Sequence, residues 1–367
     1  MKLGFIIYGS LDAVSGGYLY DRKLVEYLRT QGDTVEVISL PWRNYAAHLT
    51  DNLNIRLPSD LDILIQDELN HPSLIVANRG KHPYPVISLV HHLRSSELRP
   101  EWKNALYRVI EKKYLQSVDG FIFNSQTTKK VVNSLVVNKK PSLVAYPPTD
   151  RFNEAILETE IIHRAKSGKL RILFLGNVIE RKGLHILLKA IKPQHSAFSL
   201  DVVGSLTSEP EYAYETHRYL LVHGLSSAVH FHGPLDHEPL IEKFRQAHVL
   251  VVPSTYEGFG IAYLEGMAFG LPAIGTTAGG ASEIISDGVD GFLIEPGDAD
   301  LLAGRLKILN KKRDVLARMS LAARARYLRQ PKWEQTASQI REFLQSFLGT
   351  IGRNDRASSP YNEYGQE

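Results

Sequence analysis

The chain has 367 residues, no cysteine, and 43 basic against 40 acidic side chains, a formal charge of +3. At roughly 150 residues per domain this length points to two domains, and 43% hydrophobic with 23% charged residues is the composition of a folded chain, not a disordered one. Disulfides, thiolate metal centres and thiol nucleophiles are excluded, the small positive balance does not argue for nucleic acid, and no apolar run approaches the roughly 20 residues of a membrane span.

In chain order, Leu3–Tyr8 reads as a buried strand running into Gly9, too short to be the apolar region of a signal peptide. We therefore expect a cytoplasmic protein that at most touches the inner face of a membrane. Gly16-Gly17 open a loop and Tyr18–Arg29 has helical periodicity. Val35–Leu40, Ile63–Gln66, Val86–Val90 and Gly120–Asn124 read as strands, with an amphipathic helix over Glu101–Gln116. The two prolines of Tyr146-Pro147-Pro148-Thr149-Asp150 remove backbone donors and mark a linker. Alternation restarts with Arg171–Leu175, Gly176, and a helix from Gly183 to about Ile191. Leu200–Val203, Val229–His232, Val249–Val252, Pro272–Gly275 and Gly291–Ile294 complete a second parallel sheet. We expect an α/β chain of two doubly wound Rossmann-like domains, 1–148 and 168–331, facing a central cleft. A last helix follows at about 332–348, and 352–367 read as a disordered tail. Ligands of such sheets sit beyond the carboxyl ends of the strands.

The richest strand end is Val251 to Gly266. A glycine-flanked turn, Glu257-Gly258-Phe259-Gly260, leads into a helix that begins near Gly260. Free amides there, aligned with the helix dipole, make an anion site, and glycine lets a diphosphate approach the backbone. Glu257 and Glu265 are eight residues apart, up to roughly 12 Å along a helix. A nucleotide-sugar spans that distance, with one carboxylate on sugar hydroxyls and the other on ribose. Taken alone, the pair also reads as two solvated helix-end charges.

This segment resembles the retaining GT-B glycosyltransferases of family 4, whose signature is two glutamates separated by seven residues. The likeness continues in order through Gly270-Leu271-Pro272, Ala278-Gly279-Gly280-Ala281-Ser282-Glu283, Asp290-Gly291-Phe292-Leu293-Ile294 and Pro296-Gly297-Asp298. The resemblance implies a GT-B architecture and that Glu257 contacts the transferred sugar and Glu265 the ribose, with Tyr256, Phe259 and Ile261 beside them. It implies a phosphate clamp in Gly176-Asn177-Val178-Ile179-Glu180-Arg181-Lys182-Gly183. Lys182 matches the family lysine, and Asn177 stands where many members have arginine. Whether Arg181 supplies the second positive charge is left to the structure. Gly204 and the loop Gly233-Pro234-Leu235 are implied beside the nucleoside, Gly16-Gly17 near the donor phosphates, and His91 near the transferred sugar. Which of His91 and His92 faces the cleft is also left open. The last helix is expected to cross back onto the first domain, as in similar proteins.

Asp60-Leu61-Asp62 and Asp298-Ala299-Asp300 have the acid–x–acid spacing of metal ligands, but the first leads into a strand and the second reads as a helix cap. His230-Phe231-His232 lacks a third ligand. We expect no metal and no cofactor. No dinucleotide fingerprint follows the first strand, and no serine-hydrolase elbow is present. Between residues 91 and 140 there are ten Lys or Arg against four acids, with Trp102, Tyr107 and Tyr114 interleaved. This reads either as a face for anionic lipid or as a solvated helix surface. Asp67-Glu68-Leu69-Asn70-His71-Pro72, after a strand, reads either as an acceptor subsite or as a polar turn.

The expectation is an enzyme transferring a hexose, with retention, from a UDP-, GDP- or ADP-sugar to a glycan or lipid-linked hydroxyl acceptor in bacterial polysaccharide or glycolipid assembly. The alternatives are a sugar-nucleotide epimerase or hydrolase on the same fold and a non-catalytic sugar-nucleotide-binding protein. A glycan phosphorylase would need a pyridoxal lysine, for which there is no signal.

Overall fold

The computed structural model describes residues 1–354 except 14, 81, 138, 149 and 153–155. The first sheet is built from β1 (Lys2–Tyr8), β2 (Thr34–Leu40), β3 (Ile63–Asp67), β4 (Val86–Val90), β5 (Gly120–Phe123) and β6 (Ser142–Val144). Its order is β2-β1-β3-β4-β5-β6, parallel throughout. The second comprises β7 (Leu170–Leu175), β8 (Phe198–Val203), β9 (Val229–Gly233), β10 (Val249–Val251), β11 (Ala273–Thr276) and β12 (Gly291–Ile294). Its order is β12-β11-β10-β7-β8-β9, again parallel. These are two Rossmann-like domains, and the order of strands reverses between β1 and β3 in one and between β7 and β10 in the other. Those switch points open the crevices in which ligands of such sheets bind.

The sequence dictates this layering. Every residue of β3, β4 and β5 is buried, as continuous apolar runs require when helices cover both faces. In β1 the pleat divides the side chains: Leu3, Phe5 and Ile7 join the core under the helix Gly16–Thr30, and Ile6 and Tyr8 join that under the helix Glu101–Ser117. The first of these helices starts at Ser15, whose Oγ accepts from the Tyr18 amide at 3.2 Å. It buries Leu24 and Leu28 completely, about 2 kcal/mol each in apolar transfer.

The last helix, Trp333–Asn354, leaves the second domain and lies on the first. Ala337, Ile340 and Leu344 enter the core of the first sheet. Arg341 Nε and Nη2 donate to Asp33 at 2.7 and 3.2 Å. The helix therefore runs six residues past the expected end at 348, and 352–354, expected in the tail, are helical. Residues 355–367 of the expected tail lie outside the described residues. β6 was also not foreseen. It is a half-buried edge strand of three residues, too short to show a period.

The two domains touch along the cleft. The carboxylate of Glu283 accepts from the amides of Gln126 and Thr127 at 2.9 and 2.7 Å and from Thr127 Oγ1 at 2.6 Å. It thus caps the helix Gln126–Leu135 of the opposite domain. Ser125 Oγ reaches the Gly258 carbonyl at 3.1 Å.

Candidate functional site

The turn after β10 is the centre of the site. Gly260 caps the helix Ile261–Ala268 with φ of 101°, a left-handed conformation that any side chain would strain. Gly279 packs so closely on the Glu257 carbonyl that a Cβ would overlap it. The Gly280 amide donates to that carbonyl at 2.7 Å, and the Glu257 amide to Ala278 at 3.2 Å. The turn is thereby held from behind, while the amides of Gly258, Phe259 and Gly260 donate to no described residue. Phe259 and Tyr256 are buried beneath it.

Lys182 comes from the turn after β7, the strand paired with β10. Its Nζ donates to Glu257 Oε2 at 2.6 Å, and Ser254 Oγ donates to the same oxygen at 3.0 Å. Burial opposes ionisation of Glu257, but Lys182 and Arg181 outweigh it and hold the carboxyl down at about 2. Burial pushes the Lys182 amine down, with Glu257 opposing. Gly176, at the end of β7, runs along the Lys182 stem, where a Cβ would lie 3.5 Å from Cε. Arg181 Nη1 donates to the Tyr256 carbonyl at 2.9 Å, and its Nε is 3.9 Å from Glu97 of the opposite domain. Arg181 is therefore a second cation at this turn. Asn177 Oδ1 accepts from the Ser205 amide at 3.3 Å, so its side chain braces the loop after β8. Gly204 fits against the Gly176 carbonyl, and its amide donates to Gly233 at 2.9 Å. Pro234 is exposed beyond that strand end, and Leu235 is half-buried against the core.

Glu265 lies four residues into the same helix, buried, and is paired with Arg151 of the interdomain linker. Burial pushes its carboxyl up, opposed by Arg151. The two glutamates of the motif thus meet different cations on different segments.

The N-terminal wall of the cleft approaches this turn closely. A Cβ on Gly258 would lie 2.6 Å from the His91 carbonyl, and one on Gly16 3.3 Å from Ile261 Cδ1. Gly17 lies on the His91 ring, 3.3 Å from Cδ2 on the same measure. His91 Nε2 is 2.9 Å from Asp21 Oδ1, and Tyr20 meets the ring edge-on at 5.4 Å. His92 instead turns to Glu97, at 3.0 Å, near Tyr256. Burial would raise Glu97, but His92, Arg181 and Arg99 bring it down to about 2. Both histidines border the cleft, and they answer to different acids.

Sequence reading missed Asp21, Glu97 and Arg151, and did not foresee the capping by Glu283. For Asp21 a signal existed: it falls on the buried stripe of its helix, with Tyr18, Leu24, Val25 and Leu28, where an acid needs a partner. The acceptor subsite at 67–72 needs correction. Asp67, Glu68, Asn70, His71 and Pro72 are buried, so none offers an exposed group to an acceptor. Of the aromatics interleaved with the basic run, only Trp102 projects outward. Tyr107 packs on Tyr45 at 4.8 Å, and Tyr114 is buried. Asp298 caps its helix through the Leu301 amide at 2.8 Å, and Asp60 and Asp62 bind Lys2.

Comparison with known proteins bears on this geometry. Residues 157–326 match the profile of the family described as Glycosyl transferases group 1. The D-inositol 3-phosphate glycosyltransferase of Streptomyces griseus is 30% identical over 196 residues, 50% of this chain and 41% of that protein. The chain spans between 41% and 64% of the length of the first curated relatives it matches. Sucrose-phosphate synthase of Thermosynechococcus elongatus superposes with a TM-score of 0.77 at 19% identity, covering 98% of this chain and all of that one. HepE of Anabaena, solved with UDP and glucose, gives 0.73 at 19% identity over 94% of this chain and 100% of its own. The fold is GT-B, and the match to the group 1 glycosyltransferase profile falls on residues 157–326, which include the second sheet.

Proposed function

We propose that the protein is a retaining glycosyltransferase that moves a hexose from a nucleoside diphosphate sugar to a hydroxyl of a glycan or lipid-linked acceptor. One observation carries this reading. The free amides of Gly258–Gly260, the Lys182–Glu257 pair and Arg181 meet at a single turn facing Gly16-Gly17 and His91 across the cleft. In sugar transfer from a diphosphate, positive charge develops at the anomeric carbon and negative charge on the leaving phosphates. Two cations and a set of oriented amides match the second, and in a closed cleft they need no reorganisation. This reading uses no metal. The acids of the opposite wall, Asp21, Asp67 and Glu68, are buried. That supports front-face displacement, in which the leaving phosphate accepts the proton of the incoming hydroxyl and Glu257 positions the sugar. Glu265 takes the ribose, exchanging Arg151 for hydroxyls.

We also read the acceptor as membrane-borne, in polysaccharide or glycolipid assembly at the inner face of the membrane. Among the described residues no helix is long and apolar enough to cross a bilayer. The helix Glu101–Ser117 and the turn before it nevertheless expose Leu98, Trp102, Leu106 and Val109 beside Lys103, Lys112 and Lys113.

The test is nucleotide release from a panel of UDP-, GDP- and ADP-sugars with and without acceptor pools. Acceptor-dependent release with the anomeric configuration kept supports the proposal. Release that ignores acceptor identifies a hydrolase, conversion to an isomeric sugar-nucleotide without release an epimerase, and binding with neither a sugar-nucleotide-binding protein. Each of these results overturns it.

A further inference from the structure

His91 is held from behind by acids that the reading above does not use. Asp21, fully buried, accepts from Nε2 through Oδ1, and its other oxygen, also buried, has no hydrogen-bond partner. The Asp67 carboxylate comes from the end of β3, and one of its oxygens lies within 4.8 Å of an Asp21 carboxylate oxygen and a His91 ring nitrogen. Asp67 Oδ1 accepts from the Leu69 amide at 3.0 Å. Glu68 follows, buried, its Oε1 3.0 Å from His71 Nδ1, in the fields of Glu111, His91 and Arg94. Tyr20 closes the ring edge, and Thr128 Oγ1 takes the His91 carbonyl at 3.3 Å. Nδ1 has no hydrogen-bond partner among the described residues, and the side chain keeps 15% of its surface exposed.

The Asp21 contact settles one nitrogen, because a carboxylate accepts and Nε2 must therefore carry hydrogen. Nδ1 then decides the chemistry. Bare, it is an acceptor on a neutral ring; protonated, it is a charged donor. A buried carboxylate with one oxygen unsatisfied is costly unless a nearby cation offsets it, and the imidazolium is the cation in contact with it. Burial pushes His91 down, but the charge and hydrogen bond of Asp21, then Asp67 and Glu68, raise it to about 9. Burial and the neighbouring Asp21 push the Asp67 carboxyl well above the ordinary carboxylate range, with His91 opposing.

We propose that Asp21 is a positioning residue that fixes His91 as an imidazolium, its Nε2–H held on the carboxylate and its Nδ1–H available to an oxygen of the sugar-nucleotide donor. Asp67 is the adjoining acid of the same buried cluster. The ligand half of this inference rests on the transferase reading; the protonation half does not.

The test is a pH titration of the imidazole nitrogens in the ¹⁵N-labelled full chain, with the His91 signals assigned by H91Q. In the wild type His91 keeps both ring protons through neutral pH and loses one near 9, whereas in D21N the loss moves down toward the ordinary value of 6.5; D21E restores most of the shift. A wild-type His91 that is already neutral at neutral pH overturns the proposal without any variant, as does a titration that Asp21→Asn leaves unmoved. The ligand half has its own readout. The alkaline limb of kcat/KM for nucleotide release should move to lower pH in D21N together with the NMR step. Coincident limbs overturn that half. Normal NMR behaviour with no donor consumed leaves the protonation result standing and removes the transferase reading instead.

Discussion

Lys182 Nζ and Glu257 Oε2 are 2.6 Å apart, joining the turns that follow β7 and β10 across the point where the second sheet reverses its strand order. The pair is mostly buried, with side-chain exposures of 15% and 13%. On the proposed reading, Lys182→Ala removes a cation from the leaving diphosphate and should lower turnover about 10²–10³-fold. It also strands Glu257, which should cost about 3–5 kcal/mol of stability. The double variant K182M/E257Q should regain most of that stability while staying inactive. Chemical denaturation beside nucleotide-release assays separates the two effects, and a fully active K182A would refute the phosphate assignment.

The same pair has a pH signature. Glu257 is held at about 2 against an ordinary 4.5. A depressed carboxyl stabilises the fold above its unfolded value, and that stabilisation is lost as pH falls through the folded one. The stability difference between wild type and E257Q should therefore be constant above pH 4.5 and close as pH falls toward 2. Melting curves over that range check it, and a difference that widens on acidification contradicts the assignment.

Glu283 makes a separate prediction, because it holds the start of a helix in the other domain. Glu283→Ala leaves the Gln126 and Thr127 amides without their acceptor and should cost about 1 kcal/mol, the usual magnitude of a lost cap. Because the cap spans the cleft, small-angle scattering should report a larger radius of gyration for E283A, and the donor KM should rise. An unchanged scattering profile would make the contact a local cap only.

Much of the C-terminal domain was legible because its chemistry is local. Glu257, Gly258, Gly260 and Glu265 lie on one strand–turn–helix, and Lys182 on the next such turn, so spacing along the chain tracks spacing in the fold. The N-terminal wall resisted reading because its partners are far apart in sequence. Asp21 and His91 are 70 residues apart and meet only when β1 and β4 flank β3. Glu97 and Arg181 meet only across the cleft. The polar run at 67–72 stayed open between an acceptor subsite and a polar turn for a related reason. Its composition is that of an exposed turn, yet it is buried, with Tyr45 on His71 Nε2 at 2.9 Å and the Asp67 carboxylate on its own loop.

Glu265 and Arg151 yield a kinetic prediction. If Glu265 holds the ribose as proposed, the contact exists before and during reaction, so Glu265→Ala should raise the donor KM with a smaller effect on kcat. Arg151→Ala should raise the Glu265 carboxyl further, since it removes the partner that opposes burial. Donor affinity in R151A should then improve with rising pH as Glu265 ionises, while affinity in the wild type changes less. Isothermal titration with the preferred nucleoside diphosphate at several pH values measures this, and parallel curves would count against Glu265 as the ribose ligand.

The helix Glu101–Ser117 carries the last prediction. Leu98, in the turn before the helix, is 75% exposed, Trp102 68%, and Leu106 and Val109 54% each; the spacing of four and three residues sets Trp102, Leu106 and Val109 on one side of the helix. Part of the surrounding charge is spent inside the domain. Arg94 stacks on Tyr45 and Tyr107 at 5.1 Å, Arg99 binds Glu97, and Lys140 caps carbonyls at the end of the helix. The lysines left at the stripe, Lys103, Lys112 and Lys113, suit an anionic headgroup layer, and Trp102 suits its interface. Sedimentation with phosphatidylglycerol vesicles should show binding that weakens with salt, and Trp102 emission should shift to the blue. W102A/L106D should lose most binding while nucleotide release to a water-soluble acceptor is retained. Binding that salt leaves unchanged, or no binding to anionic vesicles, would reduce this face to a solvated helix surface.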